Sequence, residues 1–151
     1  MQPAFTVRQL EHDDAFLPGY RSLRLQLWPG CREDCDREIA GILASSGRWA
    51  VFVLLEDDRT AIGFIEVHLR EFAEGSSNSP VPFIEGWFVV DQRRRQGLGG
   101  MLMSAAEDWA ISQGYNELGS DTEASNDLSI QAHAQLGFQE VERLVCFLKQ
   151  I

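Results

Sequence analysis

A short basic turn in the middle of the chain carries the residues best suited to hold an anion. Three arginines at 93–95 are followed by Gln96, Gly97, Leu98 and Gly99. Guanidinium groups bind phosphate oxygens in a bidentate manner, and glycines let the backbone approach a ligand closely. A helix is predicted to begin at Leu98, so the free N–H groups of its first turn would face the same anion. The turn therefore predicts a cradle for a diphosphate.

Two common phosphate-binding motifs do not fit this turn. A dinucleotide-binding fingerprint requires a third glycine at position 102, where the chain has Leu102. A P-loop requires Gly-Lys followed by Ser or Thr, and the only lysine in the chain is Lys149. The pattern that remains is Arg94-x-x-Gly97-x-Gly99.

The turn lies between a predicted strand and a predicted helix. Phe83–Val90 is a short apolar run rich in aromatic and β-branched residues, which predicts a largely buried strand. Apolar and small residues recur at helical spacing over Leu98–Gln113, which predicts an amphipathic helix. This order places the helix N-terminus at the end of the strand, where an anion would bind.

Hydrophobic patterns predict further elements on both sides of this unit. A first helix begins near Asp13 or only at Pro18 and ends before Pro29, and Asn126 is a plausible N-cap for the last helix. The order of elements predicts a mixed α/β sheet. The other predicted strands are Phe5–Gln9, Trp49–Glu56, Thr60–Arg70, Glu117–Asp121 and Glu140–Leu148, and the other predicted helices are Glu33–Ser46 and Asn126–Gly137.

The long third strand has an unusual acidic residue in its pattern. Strict alternation places Ile62, Phe64, Glu66 and His68 on one face of the sheet. A carboxylate on an otherwise apolar face is either an edge residue or part of a cleft. The loop over Phe72–Pro82 that follows is long enough to border a site.

Length and charge limit the class of protein. The chain has 151 residues, which favours one domain over 1–151. Its formal net charge of −10 argues against nucleic-acid binding, since the one basic cluster is the predicted anion cradle. A strongly acidic protein attracts cationic ligands through its long-range field. Solubility alone explains the charge equally well.

Cysteine and histidine positions give no sign of a metal site or of a disulfide framework. Cys31, Cys35 and Cys146 form an odd set without a CxxC pair, and the three histidines are scattered. The N-terminus lacks the features of a signal peptide, and the longest apolar run, at 49–55, is too short to cross a bilayer. We therefore expect no metal, no membrane contact and a cytoplasmic protein with free thiols.

Two motifs resemble the signatures of the GNAT superfamily of N-acetyltransferases. Arg94-x-x-Gly97-x-Gly99 is similar to its acetyl-CoA signature, and the segment from Asn126 through His133 to Gly137-Phe138 is similar to its second motif. Several further stretches resemble the aminoglycoside 6′-N-acetyltransferases of the smaller, chromosomally encoded branch, over nearly the whole chain. These stretches are 25–30, 79–80, 83–86, 120–122 and 137–143.

The resemblance implies a fold and a mode of cofactor binding. The GNAT fold is a mixed sheet of about six to seven strands flanked by about four helices, with the fourth and fifth strands splayed apart. Acetyl-CoA would be the co-substrate, with its pantetheine against the backbone of Trp87, Phe88 and Val89. Asn126 would contact the cofactor. The diphosphate would meet Arg94, Arg95, Gln96, Gly97, Leu98 and Gly99.

The resemblance also implies an acceptor site and a homodimer. The acceptor, an aminoglycoside antibiotic, would meet six residues. Relatives tend to carry histidine at the position of Cys31 and tyrosine at the position of Phe72, so two polar contacts differ here. The six residues are Trp28, Cys31, Phe72, Glu85, Asp121 and Glu142.

The implied reaction transfers acetyl directly to the 6′-amine in a ternary complex. Aliphatic amines have a pKa of about 10.4 and must lose a proton before attack. Glu85 could take that proton, a contribution of ~10²–10⁴-fold, or could only bind the substrate ammonium, and Asp121 is the second carboxylate. A backbone N–H at Phe88 or Val89 would hold the oxyanion. His133 stands where many relatives have a tyrosine acid, and is either an acid or a packed side chain.

Two rival functions remain open at this point. One keeps the fold but changes the acceptor to a polyamine or a protein amine, which an acidic cleft suits equally well. The other is a non-catalytic acyl-CoA-binding regulatory module, against which Glu85, Asp121 and the glycine turn argue. The stretches around Trp28 and Asp121 favour the aminoglycoside.

Overall fold

The computed structural model describes all 151 residues and contains one five-stranded sheet. The strands lie in the order β1-β2-β3-β4-β5; the first four pair antiparallel and β5 pairs parallel to β4. The strands are β1 (Phe5–Gln9), β2 (Trp49–Glu56), β3 (Thr60–Arg70), β4 (Val81–Val89) and β5 (Gly119–Ser120), and the α-helices are α1 (Leu17–Leu27), α2 (Cys35–Ala44), α3 (Leu98–Ser112) and α4 (Asp127–Gln135).

The predicted α/β fold is confirmed, and the two faces of the sheet carry separate cores. Helices α1 and α2 cover one face with a cluster that includes Tyr20, Ile39 and Phe64. Helix α3 covers the other face with a cluster that includes Ile65 and Leu102. Because the sheet is covered on both sides, β2 and β3 are apolar along nearly their whole length.

The predicted face of Ile62 is wrong because a β-bulge interrupts the alternation. Leu54 pairs with Gly63 and Leu55 pairs with Ala61, so Ile62 is an extra residue in β3. Ile62 therefore packs into the α3 cluster, whereas Phe64 packs into the α1–α2 cluster.

A second bulge lies in β4 and involves Glu85. Glu66 pairs with Gly86 and Val67 pairs with Ile84, so Glu85 has no partner of its own in β3. A bulge of this kind changes which face the following residues take. It allows the Glu85 side chain to lie beside those of His68 and Arg70.

Strands β4 and β5 separate after two residue pairs. Phe83 pairs with Gly119 and Ile84 with Ser120, after which β4 continues alone to Val89. The predicted splay between these strands is therefore present. One edge of β4, from Glu85 onward, has no strand beside it.

The strand predicted over Glu140–Leu148 is not formed, so the sheet has five strands rather than six to seven. Residues 139–151 have no regular secondary structure. Phe147 and Leu148 are 92% and 95% exposed. The apolar pattern of this segment is that of a strand. A strand needs a neighbouring strand for its backbone hydrogen bonds, and no strand of this chain pairs with this segment.

Candidate active site

The basic turn forms a concave nest of backbone N–H groups. Arg95 and Gly97 adopt left-handed conformations with φ of 62° and 76°. The N–H groups of residues 95–99 donate to no backbone carbonyl. Successive N–H groups in such a turn converge on one point and bind anions, and the positive end of α3 adds to this field. The nest therefore fits the predicted diphosphate.

The three arginines of the turn have different surroundings. Arg93 forms an ion pair with Glu56. Arg94 donates from Nε to the Val89 carbonyl at 2.9 Å and pairs with Asp91 at 2.9 Å. Arg95 takes part in none of the ion pairs of the chain and is exposed. Arg94 thus ties the turn to the end of β4, and Arg95 is the guanidinium free to meet a phosphate.

Trp87 joins the open edge of β4 to the nest. Its indole Nε1 donates to the carbonyl of Gly99 at 3.0 Å, and its ring meets the ring of His133 edge-on at 5.3 Å. A side chain at position 99 would place its Cβ only 3.1 Å from the indole. The second glycine of the turn is therefore needed for packing against Trp87.

His133 has hydrogen-bond partners on both ring nitrogens. Nδ1 lies 2.7 Å from the Ser129 carbonyl oxygen, which can only accept, so Nδ1 carries the proton. Nε2, 2.7 Å from Oγ of Ser120, then accepts from that hydroxyl. Asn126 caps α4, as predicted, by accepting from the Ser129 N–H at 3.1 Å. This geometry anchors α4 to β5 and leaves His133 without a free proton on Nε2.

An acidic cleft of about 880 Å³ lies between the α1–α2 connection and strands β3 and β4. Three of the six predicted acceptor residues line it: Trp28, Cys31 and Glu85. Further carboxylates in the lining are Asp34, Glu38 and Glu66. Several carboxylates around one cleft suit a ligand with several ammonium groups.

Trp28 forms part of the cleft because position 86 has no side chain. A Cβ added to Gly86 would lie 2.5 Å from Cη2 of the Trp28 indole. On its other sides the indole meets the Phe64 ring at 6.1 Å and the Arg24 guanidinium at 4.9 Å. The indole is thus packed against the β4 backbone next to Glu85.

A buried ionic network lies beneath Trp28. Arg24 donates to Glu66 at 2.9 Å and to Glu38 at 2.6 Å, and the Tyr20 hydroxyl donates to Glu66 at 2.5 Å. Arg24 is 5% exposed and Glu66 2% exposed. The open question of Glu66, edge or cleft, is thereby answered: it lies in the cleft floor.

Burial and neighbouring charges together raise the pKa values of both Glu66 and Arg24. Burial raises the pKa of Glu66 and outweighs Arg24 and the Tyr20 hydroxyl, while Glu85 raises it further. Burial lowers the pKa of Arg24, but Glu66, Tyr20 and Glu38 together leave it above its ordinary value. A raised pKa favours the neutral form of the Glu66 carboxyl but the charged form of the Arg24 guanidinium. Arg24 therefore stays charged.

Glu85 is held by two basic side chains of β3. Arg70 donates to it in a bidentate manner, from Nε at 2.6 Å and from Nη2 at 2.7 Å. His68 places Nδ1 3.3 Å from the same carboxylate and stacks on Trp49 at 4.2 Å. Glu85 is therefore an oriented carboxylate at the rim of the cleft.

The other three predicted acceptor residues do not line this cleft. Phe72 is 67% exposed, and Asp121 and Glu142 are also exposed. Asp121 is near enough to Arg70 to contribute to the raised pKa of that guanidinium, after Glu85. Glu142 lies on the C-terminal segment, apart from any strand.

Several residues of the cleft were not predicted from the sequence. Arg24 lies four residues after Tyr20, a helical spacing that places both on one face of α1, and four residues before Trp28, which directly follows the helix. Asp34 and Glu38 have the same spacing at the start of α2. These spacings were available in the sequence. The pairing of Arg70 with Glu85 was not, because it depends on the bulge in β4.

Two general features of the chain concern metals and membranes. No group of three or more His, Cys, Asp or Glu side chains is arranged to hold a metal ion. None of the helices has both the length and the hydrophobicity needed to cross a bilayer.

Comparison with known proteins gives a family and close structural neighbours. The sequence model of the acetyltransferase (GNAT) family matches residues 10–138. An aminoglycoside N(6′)-acetyltransferase type 1 of Klebsiella aerogenes is 39% identical over 148 residues, 96% of each chain. The protein of the same name from Serratia marcescens is 40% identical over 143 residues, 93% of this chain and 96% of that one.

Solved structures agree with these sequence relatives. AAC(6′)-Iy in complex with the bisubstrate analogue CoA-S-monomethyl-acetylneamine superposes with a TM-score of 0.90 at 33% identity, covering 98% of this chain and 99% of the other. The aminoglycoside antibiotic 6′-N-acetyltransferase AAC(6′)-Ih of Acinetobacter baumannii superposes with a TM-score of 0.88 at 30% identity, covering 98% and 99%.

Proposed function

Because the chain belongs to the acetyltransferase (GNAT) family, we propose that it is an acetyl-CoA-dependent aminoglycoside 6′-N-acetyltransferase that confers antibiotic resistance. The observation that carries this proposal is a juxtaposition on β4. The open edge of β4 leads from the N–H nest at its end to the acidic cleft at Glu85. A cofactor bound at the nest and an acceptor bound in the cleft would meet along this edge.

Acetyl-CoA fits the nest and the open edge. The N–H groups of residues 95–99 and the Arg95 guanidinium would bind the diphosphate. The pantetheine, an extended chain with amide groups, would lie along the backbone of residues 87–89, where β4 has no neighbouring strand. One of these N–H groups would hold the carbonyl oxygen during attack.

The acceptor is an amine that arrives as an ammonium ion and has to lose its proton. Glu85 is oriented by two side chains of β3 and lies at the cleft rim, so it binds the 6′-ammonium and accepts its proton, directly or through water. The neutral amine nitrogen attacks the thioester carbonyl and forms the C–N bond. The C–S bond then breaks, and coenzyme A leaves as a thiolate that takes up the proton lost by the acetylated nitrogen.

The remaining predicted residues keep secondary roles in this proposal. Trp28 and Cys31 line the acceptor cleft, and Asp121 and Phe72 lie outside it, where they would contact only an acceptor that extends beyond its rim. A proton donated by His133 would require a change of its hydrogen bonds, because its Nδ1 proton points at the Ser129 carbonyl.

The test is acetyl-CoA-dependent thiol release with aminoglycosides and polyamines as acceptors. Turnover is expected only with drugs that have a free 6′-amine. Glu85→Gln should lower kcat about 10²-fold or more, because both proton removal and ammonium binding are impaired. Asp108→Asn, which changes an exposed carboxylate on α3 at the opposite face of the sheet, is the matched control. Turnover of spermidine with none of the drugs would contradict the proposal.

We also propose that the protein is a homodimer joined through its C-terminal segment, residues 139–151. Residues 144–148 are five consecutive apolar residues, the pattern of a strand covered on both faces. In one chain they are exposed, and only the start of the segment packs back, with Val141 against Gly75. Strand β5 meanwhile has an unpaired outer edge. Addition of this segment to a second copy would cover both features.

Glu142 lies on this segment. Docking would fix the segment in place, so that Glu142 could contact the acceptor. Sedimentation of the full chain is expected to give twice the mass of the chain at micromolar concentration. Phe147→Asp should shift it to the monomer, and Ile111→Asp, which changes an exposed apolar residue near the end of α3, should not. A monomeric wild-type protein would contradict the dimer and leave the enzymatic proposal intact.

The three cysteines support a cytoplasmic location, which is part of the same proposal. All are free thiols, although Cys31 and Cys35 are close in sequence and in space. Reduced thiols persist in the cytosol. Cell fractionation that finds the protein in the periplasm would contradict this location.

A further inference from the structure

Arg70 occupies the position on Glu85 that an acceptor ammonium would take. Its guanidinium donates to both oxygens of this carboxylate, at 2.6 and 2.7 Å. A bidentate pair of this kind uses the lone pairs that face the guanidinium and neutralises the charge of the carboxylate. An ammonium ion that binds to Glu85 must therefore share it with Arg70 or displace Arg70.

The surroundings of Arg70 allow it either to share Glu85 with an ammonium ion or to move away from Glu85. Its side chain is 34% exposed, and its guanidinium lies 3.6 Å above the ring of Phe83. Glu85, Asp121 and Glu74 all raise its pKa, with the contacts to Glu85 first among the causes, so the guanidinium has two further carboxylates nearby. A guanidinium on an aromatic ring can slide without losing its packing.

The other cleft cation has no comparable freedom. Arg24 is buried and is compensated by Glu66 and Glu38. Its ion pairs form the cleft floor rather than the rim. Arg70 is thus the positive charge of the site that competes with a cationic acceptor for Glu85.

From this geometry we infer that Arg70 is a specificity-determining residue: an internal counter-ion that weakens the attraction of Glu85 for acceptor amines. The inference rests on the proposed function and deepens it. Arg70 lowers the affinity for every amine that contacts Glu85, and an acceptor with several ammonium groups overcomes this through the other carboxylates of the cleft. Removal of the charge therefore tightens acceptor binding, whereas loss of a purely positioning side chain would weaken it.

The test compares the KM values of wild type and Arg70→Gln for an aminoglycoside at saturating acetyl-CoA. A fall in the acceptor KM of about 2- to 5-fold is expected, the range of one partly exposed ion pair. The KM for acetyl-CoA is expected to stay unchanged, whereas kcat is expected to fall, because Arg70 also helps to orient Glu85. The acceptor KM of the variant should also rise more steeply with added NaCl, because its site has one more uncompensated negative charge.

Three further variants make the result decisive. Arg70→Lys retains the charge and should keep the wild-type KM. Arg70→Met retains the aliphatic stem over Phe83 and should repeat the fall, which covers the case in which Arg70→Gln is unstable. Arg59→Gln removes the same charge from an exposed turn far from the cleft and should change nothing.

Three results would overturn the inference. A higher acceptor KM in both Arg70→Gln and Arg70→Met would show that Arg70 only positions Glu85 and does not compete with the acceptor. An equal KM shift in Arg59→Gln would assign the effect to the long-range field. Failure of the proposed function has a different signature: the wild type would bind acetyl-CoA in calorimetry but neither bind nor acetylate aminoglycosides, and the inference would fall with it.

Discussion

Gly86→Ala tests whether the packing of Trp28 on β4 builds the acceptor cleft. The added methyl group would lie 2.5 Å from Cη2 of the Trp28 indole and 3.2 Å from Cε2 of Phe64. Ordinary contact begins at 3.4 Å, so the indole tip has to move by nearly 1 Å. It cannot tilt freely, because the Arg24 guanidinium lies 4.9 Å from the ring on another side.

The expected effects follow from this displacement. Overpacking of a filled site costs about 1–3 kcal/mol in the free energy of unfolding. Misplacement of a binding group by about 1 Å lowers catalytic efficiency by up to about 10²-fold. We therefore expect a large fall in kcat/KM for the aminoglycoside. The KM for acetyl-CoA should change much less, because the nest of N–H groups at residues 95–99 lies at the far end of β4.

The assays are steady-state thiol release with either substrate varied, and urea denaturation. Gly47→Ala is the control, since nothing lies within 4 Å of its added methyl group. Wild-type stability and a wild-type acceptor KM in Gly86→Ala would refute the assignment of Trp28 to the cleft. An increase in the KM for acetyl-CoA of similar size would show that the damage extends beyond the cleft.

Three further variants test other parts of the site. Gly97→Ala forces alanine into a φ of 76°, at a cost of about 1 kcal/mol, and calorimetry should show weaker acetyl-CoA binding. Trp87→Phe removes the hydrogen bond to Gly99 and should do the same, with a loss of about 1 kcal/mol in urea denaturation. Burial raises the pKa of Glu66 in the folded protein. Its neutral form therefore contributes to stability, and this contribution is lost as pH rises through the raised pKa. The unfolding free energy of the wild type should therefore fall relative to Glu66→Gln above about pH 4.5, and parallel curves would contradict this.

Local sequence was enough to predict the basic turn that we propose as the cofactor site. The basic turn, the strand before it and the helix after it are contiguous, and their patterns of glycine, charge and hydrophobicity act within a few residues. For the same reason β1, β2 and β3 form over the predicted residues. The partners of two arginines were not predicted: Arg93 pairs with Glu56, and Arg94 donates to the Val89 carbonyl. These partners come near the arginines only in the folded chain.

The acceptor half depended on contacts between distant parts of the chain. Glu66 was recognised as unusual from its pattern, but its partners Tyr20 and Arg24 lie on another element. The pairing of Glu85 with Arg70 requires a bulge, and the side-chain alternation of two strands cannot reveal an extra residue in one of them.

The C-terminal segment shows most clearly the difference between what local sequence predicts and what contacts between distant residues decide. Its residues have the pattern of a strand, and that preference is written in the sequence. Whether a strand forms depends on an available edge, because its backbone hydrogen bonds come from another strand. The sequence by itself determined the anion turn, the elements that frame it and the acidic charge. The tertiary structure decided which carboxylates share a cleft, which cation pairs with Glu85 and which strand lacks a partner, because these depend on register and long-range packing.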